Sequence, residues 1–153
     1  MIYKVTTDTS VLIKGLIPPR RKNNDSILFD SIQIHKKAAS ILQKIESGEY
    51  KNHIPLIALI ETACVVSRLT NDPSSASLAV SFVSNNAKMY DTAILLEKSI
   101  DVGIKTKASG FDVLFIACAE MTNSTLMTDD KKMFEKACEI GVDAIFLRQY
   151  SEL

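Results

Sequence analysis

The sequence predicts a three-layer α/β fold with a mostly parallel central sheet, and three observations carry that expectation. Short β-branched or apolar segments alternate with longer stretches whose apolar residues recur at three and four, the pattern of strands joined by helical crossovers. Acidic residues recur where a strand gives way to a helix, as Asp8, Asp129 and Asp130 do. Glycine and proline are scarce, five and four in 153 residues, about half of average usage, so the many tight turns of a sandwich or barrel are lacking. A chain of this length is expected to form one domain, residues 1–153.

Each element follows in order. Residues 2–7 are short and β-branched and run into Asp8, Thr9 and Ser10, as a buried strand ending in a polar turn does. Residues 14–24 carry Lys14, Arg20, Arg21 and Lys22 with Pro18-Pro19 and Asn23-Asn24, and no acid before Asp25, so a mobile basic loop is expected, extending over 14–33. Ile34, Ala38, Ile41, Leu42 and Ile45 then mark an amphipathic helix stopped by Ser47-Gly48. Residues 53–55 are extended, and residues 56–69 form a helix that carries Glu61 inside an apolar run. Asp72-Pro73 is the signature of a capped helix start, continuing to Asn85-Asn86. Residues 88–90 are a strand, 92–102 a helix ended by Gly103, and Ser109-Gly110 leads into a helix over 111–121. A strand at 125–128, a helix at 129–140 closed by Gly141 and a last strand at 144–147 complete the chain.

Composition excludes several classes of function. Lys and Arg number 18 and Asp and Glu 18, so no global positive field exists to hold a polyanion, and any such partner needs local patches or a metal. Cys64, Cys118 and Cys138 are odd in number and far apart, which argues against a disulfide framework and a zinc ribbon; they are expected to pack as small apolar residues. His35 and His53 are expected in loops or on the surface. The longest apolar runs, 54–60 and 113–119, fall far short of the about 18 residues of a membrane span. A cytoplasmic protein without a membrane partner is the expectation.

Asp8 follows the first strand, Glu61 lies early in a helix, Asp112 begins one, and Asp130 leads from the fourth strand into its helix. In an open parallel sheet these places share the carboxyl edge, where ligands bind. Two carboxylates about 4 Å apart repel by about 4 kcal/mol at an effective dielectric of 20, so a bare cluster is costly and a divalent cation relieves it. Few histidines and scattered cysteines disfavour zinc, whereas carboxylates, water and phosphate oxygens suit Mg²⁺ or Mn²⁺. Any one acid alone has an ordinary explanation: a turn for Asp8, a helix start for Asp112, a cap for Asp129 or Asp130.

The strings TTDTSVLI, IET, FDVLFIACAE and TDDKKMF, taken in order, resemble the four acidic motifs of PIN domains, and of VapC-like ribonucleases in particular. The resemblance spans nearly the whole chain. It implies a metal-dependent ribonuclease with Asp8, Glu61, Asp112 and Asp130 as the catalytic and metal-holding acids, and Ser10 and Thr128 as the hydroxyls that support them. The T-x-D register favours Asp130 over its neighbour Asp129. The implied cofactor is Mg²⁺ or Mn²⁺ and the implied substrate RNA, with Arg20, Arg21, Lys22, Lys105 and Lys107 as candidate phosphate contacts. An antitoxin protein and a homodimer are implied as partners, the dimer surface being sought on Leu59, Val66, Leu69, Leu78 and Phe82 of the helical hairpin. An RNA-processing or quality-control nuclease and a non-catalytic RNA- or protein-binding module are the competing readings. A dehalogenase-type phosphotransferase would need a second aspartate at the position of Ser10.

Overall fold

The computed structural model describes residues 3–151. Its strands are β1 (Tyr3–Thr7), β2 (Tyr50–Pro55), β3 (Ala87–Tyr90), β4 (Thr125–Thr128) and β5 (Ala144–Phe146). Its helices are α1 (Thr9–Leu16), α2 (Ser26–Glu46), α3 (Ile57–Thr70), α4 (Pro73–Asn85), α5 (Thr92–Thr106), α6 (Gly110–Thr122) and α7 (Lys131–Glu139), and a 3-10 turn spans Leu147–Gln149. All strand pairings are parallel, in the order β3-β2-β1-β4-β5. Helices cover both faces, giving the α/β/α layers that the alternation predicts. The expected strand at 2–7 is β1, with Ile2 outside the described residues.

Order reverses on the two sides of β1, so the carboxyl ends of β1 and β4 lie side by side, with Thr7 opposite Met127. A doubly wound sheet places its ligand crevice at such a reversal. Two bonds fix this edge: the Asp8 amide donates to the Met127 carbonyl (3.0 Å), and the Thr7 amide donates to the buried Asn52 side chain of β2 (3.2 Å). Beneath the edge, Val5, Ile54 and Leu126 of the sheet join Leu12, Ile41, Phe115 and Ile116 of the helices in one core.

Four expectations are corrected. The basic loop expected over 14–33 is confined to residues 17–25, because α1 runs on to Leu16 and α2 starts at Ser26. Gly15 is inside α1 because of a close approach: a Cβ there would stand 2.5 Å from Leu42 Cδ1 and 3.1 Å from the Ala38 carbonyl carbon. The first turns of α2 expose Ile27 and Phe29, so they carry no inward stripe for periodicity to detect, yet Asp25 caps them by accepting from the Leu28 amide (3.0 Å). Gly103 does not end α5, which continues to Thr106 and is closed by Lys107 in the left-handed region (φ 53°). His53 is a buried residue of β2, bonded through Nδ1 to the Tyr90 hydroxyl (2.8 Å). Burial and the nearby Lys51, Lys4 and Lys88 lower its pKa. Of the cysteines only Cys118 is buried; Cys64 and Cys138 are exposed.

Candidate acidic site at the sheet's carboxyl edge

Asp8 is the N-cap of α1 and is almost wholly buried. Its Oδ1 accepts from the Val11 amide (3.0 Å) and the Ser10 hydroxyl (2.5 Å), and its Oδ2 accepts from the Thr128 hydroxyl at the end of β4. Burial raises its pKa to about 6 against the lowering effect of these bonds. Glu61, on the second turn of α3, accepts from the Thr9 hydroxyl. Asp112 sits in the first turn of α6 and accepts from Ser109 Oγ (3.0 Å). Asp130 caps α7: its Oδ1 accepts from the amides of Lys132 (2.8 Å) and Met133 (3.1 Å), while its own amide donates to Thr128 Oγ1 (2.9 Å).

The structure brings these acids together. One cavity of about 180 Å³ is lined by Asp8, Glu61, Asp112 and Asp130 with Thr9, Ser10, Phe115 and Met133. Among the described residues none of the four acids makes an ion pair. Nor do three His, Cys, Asp or Glu side chains converge there as a preassembled metal-ligand group. The donors are all oxygens spread around a small space. That chemistry fits Mg²⁺ or Mn²⁺, hard cations that keep several waters and are held through one or two carboxylates.

Asp129 behaves differently. Its side chain is 1% exposed and paired with Lys14 of α1 and with Arg148 of the 3-10 turn (Nε to Oδ1, 3.1 Å), and its amide donates to Ser10 Oγ (3.0 Å). The neighbours thus divide the labour: Asp130 lines the cavity and Asp129 lies in a clamp beside it. Sequence reasoning missed Lys14 and Arg148 as partners of Asp129, and Thr9 as the partner of Glu61. A lysine four residues after Ser10 gave a faint signal, and Arg148 none.

The candidate phosphate contacts lie apart from the acids. Arg20 donates to the Leu69 carbonyl (2.8 Å), Arg21 pairs with Asp25 (2.5 Å), and both line a second cavity of about 370 Å³ with Lys14, His35 and Arg148. Lys22 is exposed, and Lys105 pairs with Asp101 on its own helix (2.8 Å). Neither Lys105 nor Lys107 lines the acidic cavity. On the hairpin, Val66 is fully buried and Leu59 and Phe82 pack against the core, which leaves Leu69 and Leu78 exposed.

A doubly wound α/β domain with an acid-lined crevice at its topological reversal is the class that fold and site define. The PIN domain family model matches residues 5–140, and the chain belongs to that family of nuclease-type hydrolases. No curated protein matches it at a significant level. Among solved structures it shares its fold with VapBC2 from Rickettsia felis bound to a promoter DNA fragment (TM-score 0.65, 14% identity, 93% of this chain and 97% of that chain). FitAcB from Neisseria gonorrhoeae is similar (TM-score 0.63, 14% identity, 95% and 99%), as is a toxin-antitoxin complex from Klebsiella pneumoniae (TM-score 0.57, 21% identity, 85% and 89%). Among the described residues no helix is long and apolar enough to cross a membrane.

Proposed function

We propose that the protein is a divalent-cation-dependent endoribonuclease and the toxin of a toxin–antitoxin pair. The observation that carries this reading is the single cavity walled by four acids with no protein cation among them. Membership of the PIN domain family supports hydrolysis, and solved toxin–antitoxin structures with the same fold support an antitoxin partner over an RNA-processing role.

Asp8 and Asp112 would hold Mg²⁺ or Mn²⁺ directly, and Glu61 and Asp130 would hold it directly or through water. When bound, the cation supplies positive charge to the scissile phosphate and lowers the pKa of a water. Ser10, Thr128 and the Val11 amide keep the Asp8 carboxylate turned into the cavity, with both oxygens supported. Glu61, steadied by Thr9, and Asp130, anchored through one oxygen to its helix, would orient the attacking water and take its proton. Arg20 and Arg21 around the second cavity would offset the negative crevice for an approaching RNA backbone. A homodimer would use the hairpin residues that stay exposed, Leu69 and Leu78; light scattering that shows only monomer at every concentration contradicts it.

The test is cleavage of RNA by purified protein with Mg²⁺ or Mn²⁺. Activity should vanish on chelation and in Asp8→Asn, whose melting stays cooperative. Chelator-resistant cleavage, undiminished in Asp8→Asn, contradicts the reading.

A further inference from the structure

We propose that Arg148 is a positioning residue for the acidic site, acting on Asp8 through Asp129 and Ser10. Arg148 lies beyond the residues that the family model matches, and the observations that assign it a role are geometric. Asp129 is buried between two cations from elements far apart in sequence, Lys14 of α1 and Arg148 of the 3-10 turn. Arg148 is itself held from behind, since Lys37 of α2 donates to its carbonyl oxygen (2.5 Å).

The connection to the site runs through one hydroxyl. Ser10 Oγ accepts from the Asp129 amide (3.0 Å), so the hydrogen it carries is directed at its other neighbour, Asp8 Oδ1 (2.5 Å). An amide pointing elsewhere would free that hydroxyl to rotate. Asp8 would then lose a fixed donor on one of the two oxygens that face the cavity edge. The amide of residue 129 points where it does because its side chain is anchored in the clamp. Ser10 stands one step from a metal-holding carboxylate, where removal typically changes metal affinity or activity by about 10–100-fold, and Arg148, two contacts farther out, belongs at the low end of that range.

The inference rests on the metal-dependent nuclease reading, and its test separates the two. Wild type, Arg148→Ala, Arg148→Lys and Asp129→Asn are compared below their melting temperatures by two readouts: Mn²⁺ binding by calorimetry without RNA, and kcat and KM for RNA cleavage. Arg148→Ala is expected to lower both Mn²⁺ affinity and kcat by about tenfold with KM almost unchanged. Arg148→Lys, which restores a cation to Asp129, should recover most of the loss. Combining Arg148→Ala with Asp129→Asn should cost no more than the larger single change, as expected for two members of one chain of contacts. If Arg148→Ala fails to fold, Arg148→Gln serves the same comparison. A lower melting temperature with Mn²⁺ affinity and kcat unchanged makes Arg148 merely structural and overturns the proposal. A raised KM with unchanged kcat and a flatter salt dependence makes it an RNA contact and overturns it too. A wild type that neither binds Mn²⁺ nor cleaves RNA removes the functional reading, and this inference with it.

Discussion

Asp8 and Asp129 are both buried carboxylates joined to the same serine, and the protein treats them in opposite ways. Asp129 receives two cations, Lys14 and Arg148. Asp8 receives two hydroxyls and an amide but no cation, and burial leaves its pKa near 6. A buried charge without a counter-charge is a standing cost to the fold. Its retention in a cavity lined by three more acids is what the proposed cation site accounts for. The clamp around Asp129 shows that the same strand edge can neutralise a carboxylate with the protein's own cations.

The largest expected effect separates the two acids most sharply. Asp8→Asn should reduce cleavage by about a hundredfold or more, beyond the usual loss for groups one step removed from the metal. In the metal-free protein it should nonetheless raise stability. The folded pKa of Asp8 lies about two units above its ordinary 3.8, and each unit is 1.36 kcal/mol, so ionisation costs the fold about 3 kcal/mol. That contribution is intact below pH 4 and lost as pH rises through about 6. Denaturant unfolding of metal-free wild type should therefore weaken between pH 4 and 7, and the Asp8→Asn variant should lack that component.

Next in size is the effect of the cation itself. Mn²⁺ at about a hundred times its Kd should stabilise wild type by about 2.7 kcal/mol at pH 7.5. Asp8→Asn should show little of that gain, and a thermal shift that survives the substitution would place the ion elsewhere. Asp129→Ala should act in the other direction, destabilising by about 1–2 kcal/mol with or without Mn²⁺; the figure is reduced because Lys14 and Arg148 are 40% and 53% exposed. A stabilising Asp129→Ala would erase the distinction between the two acids. The smallest effect belongs to the loop: replacing Arg20, Arg21 and Lys22 together by Ala should weaken RNA binding and reduce its salt slope by about 0.7 for each lost phosphate contact. Mn²⁺ affinity should be untouched.

How much of this could be read from the chain follows from what each feature depends on. Asp8, Asp112 and Asp130 follow strands or open helices, and local pattern is enough to place such positions on one edge of a parallel sheet; Glu61, a turn inside α3, has no such marker beyond being an acid in an apolar run. Asp130 is told from Asp129 by the T-x-D register that the resemblance supplies, since as local pattern either could cap the helix that Asp130 caps. The clamp is different in kind, since Lys14 and Arg148 meet Asp129 across 115 and 19 residues, and neither distance leaves a periodic trace. The start of the expected basic loop at residue 14 fails for a related reason. The place of Gly15 inside α1, against Leu42 and Ala38, depends on how α1 and α2 pack together and is not written in the residues around it. His53 looked like a loop residue because only the pairing of β2 with β1 and β3 buries it.

The central claim, that Asp8 is left without a counter-charge so that a divalent cation can supply one, is tested most directly by calorimetric titration of Mn²⁺ into metal-free protein at pH 7.5 and pH 5.0. Metal must compete with the proton on Asp8, so wild-type affinity should fall by about tenfold at pH 5.0, one unit below that pKa. Asp8→Asn should show no comparable binding at either pH. Wild-type affinity that is the same at both pH values, or Mn²⁺ bound equally well by Asp8→Asn, would contradict the account.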